Sequence, residues 1–218
     1  MSQEAWNVLN QIIDDASHND LIKNRRLAIA ESFIAKNTTF ETEHLLSDLT
    51  CKLIIDWATE NIRGDQIDTV DGMPEWQCTV LQETIERICT SGSYDSPEIR
   101  NIIKIISAKY PTVSNVAFFI RKYGVNTRIE LPWHCDYSVV SGTIHLLNQN
   151  EYTGGDFSYI EDKEIKNGNE LKKGHMIFHN GDVIHCIEPI TKGIRWSLVV
   201  FFYDKDSIYS KIENKIKF

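Results

Sequence analysis

One short segment, Trp133-His134-Cys135-Asp136, places an imidazole and a carboxylate two residues apart. In an extended strand these positions project from the same face, so His134 and Asp136 can reach one metal ion. The pair is also consistent with a histidine in a half-buried position and an aspartate that starts a turn. A second pair of this kind, His18-Asn19-Asp20, lies between two helical patterns and is interpreted as a helix-end turn. A metal site therefore requires a third ligand.

Histidines farther along the chain supply the candidates, and their spacing does not choose among them. The four candidates, all in or beside strand-like segments, are His145, His175, His179 and His185. His185 differs because Arg195 follows it inside the otherwise apolar run 194–202. Burying an unpaired guanidinium costs several kcal/mol, and the nearby carboxylates of Glu188 and Asp204 lie outside this run. A ligand carboxylate is the predicted partner, and Arg195 thereby favours His185 as the third ligand.

The composition is that of a globular protein with one well-buried core. The chain has 218 residues, with 42% hydrophobic and 25% charged residues. The net charge of -8 comes from residues 1–110, which hold 10 basic and 18 acidic residues, whereas residues 111–218 hold 13 of each. Solvated helix faces explain this acidic excess. Because basic residues do not cluster with aromatic ones, nucleic acid is not an expected partner.

Targeting and cysteine patterns favour a reducing compartment. No apolar run approaches the ~20 residues that cross a bilayer, and the first residues do not resemble a signal peptide, so we expect a cytoplasmic protein that does not interact with membranes. The five cysteines form no C-x-x-C pair, which argues against a disulfide framework and a thiolate zinc site. Reduced thiols are the expectation.

Apolar periodicity changes near residue 110. Three- and four-residue spacing predicts helices around residues 6–13, 45–57, 79–90 and 97–107, with Ser96-Pro97-Glu98 starting the last and a loop at 64–74. Short segments rich in β-branched and aromatic residues follow, and they predict strands at 113–122, 128–131, 139–147, 156–160, 175–178, 183–187 and 194–203. The sequence predicts an α+β protein. Residues 1–110 form a helical layer on a jelly roll of residues 111–218, and the two make one compact unit.

The motif residues resemble the Fe(II)- and 2-oxoglutarate-dependent oxygenases. The signature is His134-x-Asp136, then His185, then Arg195-x-Ser197. Further stretches similar to the prolyl 4-hydroxylase branch of that superfamily are Leu146-Leu147-Asn148, Gly154-Gly155-Asp156-Phe157, Gly174 and Phe178-His179-Asn180. The resemblance covers roughly residues 113–203 and implies a double-stranded β-helix, the cupin-like form of the jelly roll, in agreement with the strand pattern.

The resemblance assigns a role to each motif residue. It implies that His134, Asp136 and His185 are the iron ligands and that the remaining coordination positions serve 2-oxoglutarate and dioxygen. It also implies that Arg195 and Ser197 bind the distal carboxylate of this co-substrate, with Tyr123 completing the pocket. His145, His175 and His179 are then expected to be core residues or to support the ligands.

A hydroxylase is the resulting functional prediction. It would hydroxylate an unactivated C–H bond of an amino acid, a related small molecule or a peptidyl residue such as proline, releasing succinate and CO2. The prolyl 4-hydroxylase branch commonly has lysine where this chain has Arg195, and arginine followed by serine is more typical of small-molecule oxygenases. A jelly-roll module that binds an organic acid or a sugar without turnover is the alternative. A zinc hydrolase ranks last because it leaves Arg195 without a role. The sequence does not indicate an oligomeric state.

Overall fold

A computed structural model describes residues 3–4, 7–8, 41–64, 66–67, 73–92, 96–136, 138–161, 164–168 and 172–205. The helical pattern predicted for residues 6–13 lies largely outside these ranges, and His18-Asn19-Asp20 lies entirely outside them. None of the helices within them is long and apolar enough to cross a membrane.

Three helices are described in full, and fourteen strands surround or follow them. The helices are α1 (Asp48–Asn61), α2 (Gln82–Cys89) and α3 (Pro97–Lys109). The strands are β1 (Glu41–His44), β2 (Gln66–Ile67), β3 (Pro74–Glu75), β4 (Gln77–Val80), β5 (Val113–Gly124), β6 (Leu131–His134), β7 (Val140–His145), β8 (Thr153–Gly154), β9 (Phe157–Glu161), β10 (Glu164–Asn167), β11 (His175–Asn180), β12 (His185–Ile187), β13 (Ile190–Lys192) and β14 (Ile194–Asp204).

Two antiparallel sheets form the body of the fold. The larger sheet has the strand order β1-β11-β7-β14-β5-β4, and the smaller has the order β10-β9-β12-β6. All of their pairings are antiparallel, and non-consecutive strands lie side by side, as in a double-stranded β-helix. The predicted α+β jelly roll is confirmed.

Side chains of β14 give the larger sheet one apolar face and one partly polar face. Successive side chains of a strand alternate between faces. Trp196, Leu198, Val200 and Phe202 therefore join the apolar core that includes the buried residues of the three helices. Arg195 and Ser197 face the other way, toward the smaller sheet, and both are buried. One strand thus supplies a helix-side core and a polar interior.

Helix α3 begins where the sequence predicts. Ser96 is its N-cap, and its hydroxyl accepts a hydrogen bond from the backbone N–H of Ile99 at 3.3 Å. Pro97 occupies the first turn, where a missing N–H costs nothing. Ile99, Ile102 and Ile106 form its buried stripe and hold the helix against the outer face of the larger sheet.

Two local predictions are wrong. The helix predicted for 79–90 begins only at Gln82, because residues 77–80 form β4 and pair with β5 at the edge of the larger sheet. The predicted loop at 64–74 contains a paired strand at each end, with Gln66 opposite Glu75. In both places long-range pairing overrides the local pattern.

The seven strands predicted for residues 113–203 are present, with one shift, whereas β8, β10 and β13 were not predicted. The strand predicted for 128–131 is β6, at Leu131–His134, which places His134 at its last position. The larger sheet also takes β1 and β4 from the first 110 residues. The division of the chain at residue 110 stays a prediction.

Candidate metal centre and carboxylate pocket

The two ligand histidines face each other across paired strands. His134 ends β6, His185 begins β12, and the two residues are directly opposite in the antiparallel register. Their ring centroids are 4.3 Å apart, and both residues are buried. Strand pairing therefore brings together two imidazoles that are 51 residues apart in the sequence.

Asp136 lies between the two rings. Its Oδ1 is 3.6 Å from Nε2 of His134, and its Oδ2 is 3.7 Å from Nε2 of His185. Its backbone N–H donates to the carbonyl of Gly181 at 3.0 Å, which fixes the chain just beyond the end of β6. The carboxylate thus faces the Nε2 atom of each histidine.

Backbone carbonyls orient the two imidazoles, as they commonly do for metal-binding histidines. Nδ1 of His134 donates to the carbonyl of Pro132 at 2.7 Å, and Nδ1 of His185 donates to the carbonyl of Val183 at 3.0 Å. Each Nε2 therefore faces Asp136. Burial, assisted by the neighbouring His185, lowers the pKa of His134 to about 3.

Asp136 is held as an anion. Burial alone would raise its pKa, but the surrounding imidazoles, led by His185 and His134, and a hydrogen bond from Ser141 hold the pKa of this carboxyl below its usual value. Ser141 is in turn 2.6 Å from the hydroxyl of Ser138. This hydroxyl pair lies beside the carboxylate and helps to orient it.

These three side chains fit a divalent metal ion. One ligand atom from each of His134, Asp136 and His185 lies within 4.8 Å of the other two. Two neutral imidazoles and one carboxylate form the ligand set of non-haem Fe(II) oxygenases, and zinc accepts the same donors. The geometry fits the predicted triad, and a pocket adjoins it.

That pocket contains a buried cation with no compensating anion. Arg195 is 1% exposed, yet no described carboxylate lies within ion-pair distance of it. Its Nη2 is 3.3 Å from Nε2 of His145, a neutral group, and its Nε has no hydrogen-bond partner. A buried guanidinium in this state requires an anionic ligand.

Ser197 and Gly155 shape the space around this cation. The hydroxyl of Ser197, two residues along the same face of β14, is fully buried and has no hydrogen-bond partner. Gly155 has a φ of +71°, and a Cβ there would lie 3.1 Å from Cδ of Arg195 and 2.1 Å from Cδ1 of Ile190. Only glycine leaves room for the arginine stem.

Tyr123 lies beside Arg195. It is opposite Arg195 in the pairing of β5 with β14, and its ring centroid is 5.6 Å from the guanidinium carbon. Its hydroxyl is 3.4 Å from Nη1 of Arg121. Arg195, Tyr123, His134, Asp136 and His185 line one pocket. The structure thus brings the candidate metal ligands together with Arg195 and Tyr123 in a single pocket.

The sequence did not predict the contacts of two side chains beside Arg195. His145, one of the four candidate third ligands, contacts Arg195 instead, and the hydroxyl of Tyr152 lies 3.3 Å from Nδ1 of His145. The sequence places His145 within the predicted strand 139–147 and does not single out Tyr152. The register of His145 opposite Ser197 depends on pairing between distant strands, which residue spacing does not reveal.

Several flanking residues serve as packing. Trp133 packs with Ile160 and Ile184 in a small apolar cluster, and Cys186 is buried. His179 packs against the ring of His185, with centroids 4.7 Å apart, and its own Nδ1 donates to Asn180. Backbone carbonyls, and not His179, orient the ligand imidazoles.

Comparisons with known proteins agree with the motif resemblance. No protein-family model matches the chain. A PKHD-type hydroxylase of Parvibaculum lavamentivorans is 35% identical over 66 residues, which are 30% of this chain and 28% of that protein. The match therefore spans less than a third of the relative's length.

Solved structures match over most of the chain. A Pseudomonas putida prolyl-4-hydroxylase has a TM-score of 0.57 and 16% identity, covering 82% of this chain and 98% of its own. A Trichoplax adhaerens prolyl hydroxylase, solved with a peptide fragment of hypoxia inducible factor, has a TM-score of 0.60 and 11% identity over 86% and 93%. A non-heme alpha ketoglutarate dependent carbocyclase from nogalamycin biosynthesis has a TM-score of 0.56 and 12% identity over 85% and 89%. The likeness of this chain to the oxygenases of the prolyl 4-hydroxylase type is confirmed at the level of fold and local sequence.

Proposed function

We propose that this protein is an Fe(II)- and 2-oxoglutarate-dependent hydroxylase. The observation that carries the proposal is the buried guanidinium of Arg195, which has no carboxylate within ion-pair distance among the described residues and lines the same pocket as the His134, Asp136 and His185 ligand set. A metal site alone is consistent with a hydrolase, and an arginine alone is consistent with a binding module. Both together fit a metal ion and a dicarboxylic 2-oxo acid bound side by side.

Each residue of the pocket contributes to binding or orientation. His134, Asp136 and His185 would hold the iron, with backbone carbonyls fixing the two rings. Bound iron, 2-oxoglutarate and dioxygen supply the oxidising power for C–H hydroxylation, with release of succinate and CO2. Arg195 and Ser197 bind the distal carboxylate, the first by charge and the second through its hydroxyl.

The walls of the pocket exclude water from the co-substrate. Phe157, Leu131 and Ile187 line it from the smaller sheet, and Val199 and Phe201 line it from β14. Apolar walls strengthen the electrostatic attraction between the guanidinium and a carboxylate, because fewer water molecules compete for either group. The same walls leave the substrate to approach from the open end of the pocket.

The substrate is proposed as an amino-acid unit, either free or within a peptide. The structural likeness to a prolyl hydroxylase solved with a peptide supports a peptidyl substrate, and the likeness to a nogalamycin-pathway enzyme supports a small molecule. The arginine at position 195 is more typical of small-molecule oxygenases. We also propose a cytoplasmic location for the protein.

Anaerobic titration tests the cofactor assignment. Fe(II) and 2-oxoglutarate added together to the protein are expected to produce a weak visible charge-transfer absorption that neither produces alone. Admission of oxygen with a panel of amino acids and peptides is expected to release succinate. Binding of 2-oxoglutarate that is independent of the metal, with no succinate, would instead identify a binding module. Binding of metal without 2-oxoglutarate would leave only a hydrolase.

A further inference from the structure

His145 is a buried titratable residue to which the proposed chemistry assigns no role. Nη2 of Arg195 lies 3.3 Å from its Nε2, and the hydroxyl of Tyr152 lies 3.3 Å from its Nδ1. All three side chains are at least 94% buried, and His145 is opposite Ser197 in the pairing of β7 with β14. The chain of contacts runs from the carboxylate pocket into the protein interior.

The direction of each hydrogen bond follows from the arginine. A guanidinium only donates, so Nε2 of His145 must be the acceptor. The imidazole is then neutral with its proton on Nδ1, which donates to the oxygen of Tyr152. Burial first, and the charge of Arg195 second, keep the pKa of His145 well below its usual value. The geometry and the charge environment favour the same protonation state.

A neutral acceptor has a specific advantage at this position. A carboxylate here would also hold Arg195, but it would form an internal ion pair and compete with any incoming anion. An apolar side chain would leave the charge available but would remove one of the two side chains, His145 and Tyr152, that accept a hydrogen bond from the guanidinium. The imidazole fixes the orientation of the planar guanidinium group and leaves its positive charge uncompensated.

We infer that His145 is a positioning residue that holds Arg195 without neutralising it, so that the guanidinium remains available for the distal carboxylate of 2-oxoglutarate. This inference rests on the proposed function. Tyr152 supports it by fixing the imidazole proton on Nδ1, and so keeping Nε2 free to accept from Arg195.

Three substitutions at one position separate charge from hydrogen bonding. His145→Gln retains a neutral acceptor, His145→Glu supplies an anionic one, and His145→Leu supplies none. The dissociation constants of 2-oxoglutarate and of 2-oxovalerate are measured calorimetrically with the Fe(II)-loaded, oxygen-free protein. The second compound has the same 2-oxo acid end and no distal carboxylate, so the ratio of the two constants reports on the arginine pocket alone.

We expect His145→Gln to keep a preference for 2-oxoglutarate close to that of the wild type. His145→Glu and His145→Leu are each expected to weaken 2-oxoglutarate binding by about 10- to 100-fold, the range for hydrogen bonds to charged groups, and to leave 2-oxovalerate binding nearly unchanged. His145→Glu is also expected to unfold at a temperature no lower than the wild type, because its new ion pair satisfies Arg195. If His145 had only a structural role, the variants that unfold at lower temperatures would also be those that bind 2-oxoglutarate more weakly. His44→Gln, at the surface, is the matched control.

The outcomes distinguish this inference from the proposed function. If the wild type prefers 2-oxoglutarate and the glutamate and leucine variants keep that preference, His145 has no positioning role. If the glutamate variant does not fold, the glutamine and leucine variants decide by the same ratio. If the wild type itself does not prefer 2-oxoglutarate over 2-oxovalerate, the proposed function and this inference both fail.

Discussion

The two ends of the buried pocket are opposite in charge and alike in construction. At the metal end, the carboxylate of Asp136 lies 3.6 Å and 3.7 Å from the Nε2 atoms of two imidazoles. At the arginine end, the guanidinium of Arg195 is 1% exposed, and no described carboxylate is close enough to form an ion pair with it.

The difference shows that each end is incomplete without a ligand of the other sign. Protein groups hold both ends in place: backbone carbonyls and Ser141 at the metal end, and His145 with Tyr152 at the arginine end. A cation and an anion bound together satisfy both, which is the charge pattern of a metal ion with a dicarboxylate.

Loss of the metal end is expected to have the largest effect. Asp136→Asn and Asp136→Gly should each lower iron binding and hydroxylation by at least about 100-fold, since even substitutions of residues that only support a ligand cost 10- to 100-fold. Iron stoichiometry and succinate release measure this effect. Asp48→Asn, an exposed aspartate on α1, is the control. Full hydroxylation by either Asp136 variant would remove Asp136 from the ligand set.

Loss of the arginine end is expected to affect the co-substrate and not the metal. Arg195→Met should raise the KM for 2-oxoglutarate by about 10- to 100-fold or more, because it removes a charge-assisted contact, while iron binding is retained. The ligand-free variant should be as stable as the wild type or more so, since it no longer buries an uncompensated charge. Equal KM values, or a loss of iron together with 2-oxoglutarate, would contradict the separation of the two ends.

Acid is expected to destabilise the ligand-free protein through its buried imidazoles. The folded-state pKa of His134 is about 3 and that of His179 about 4, both lowered first by burial and then by His185, against about 6.5 in an unfolded chain. Below pH 6.5 the unfolded chain therefore takes up protons that the folded chain does not. Stability should be constant above that pH and fall by roughly 1.4 kcal/mol per pH unit for each such histidine as the pH decreases toward 4.

Urea unfolding midpoints between pH 7.5 and 4.5 measure this dependence. His179→Gln should make the loss of stability per pH unit smaller by the contribution of one histidine. His44→Gln, at the surface, should leave that loss unchanged. Asp136 affects stability only at lower pH. Its lowered pKa contributes stability at neutral pH, and this contribution is lost as the pH falls below about its ordinary pKa of 3.8. A midpoint that does not change between pH 6.5 and 4.5 would show that the imidazoles are protonated in the folded protein.

The residues at the two ends of the pocket are not equally predictable from the sequence. Arg195 is identifiable because a charge inside an apolar strand is a local conflict, and strand alternation then places Ser197 beside it. His134 and Asp136 follow from the same periodicity. The contacts of His145 and Tyr152 with Arg195 were missed because they depend on the register of β7 against β14, a long-range property. The helix predicted for 79–90 was too long for the same reason, since residues 77–80 pair with β5.

The smallest expected effect lies outside both ends, in the helical layer. Ser96→Ala removes the N-cap hydrogen bond to Ile99 and should lower the free energy of unfolding by about 1 kcal/mol. Helix α3 packs on the outer face of the larger sheet, whereas the pocket lies on its inner face. Iron and 2-oxoglutarate affinities measured well below the unfolding temperature should therefore equal those of the wild type. If iron and 2-oxoglutarate both bind more weakly, the packing of α3 affects the distance between the two ends of the pocket. If only one ligand binds more weakly, the packing of α3 affects only the strands at that end.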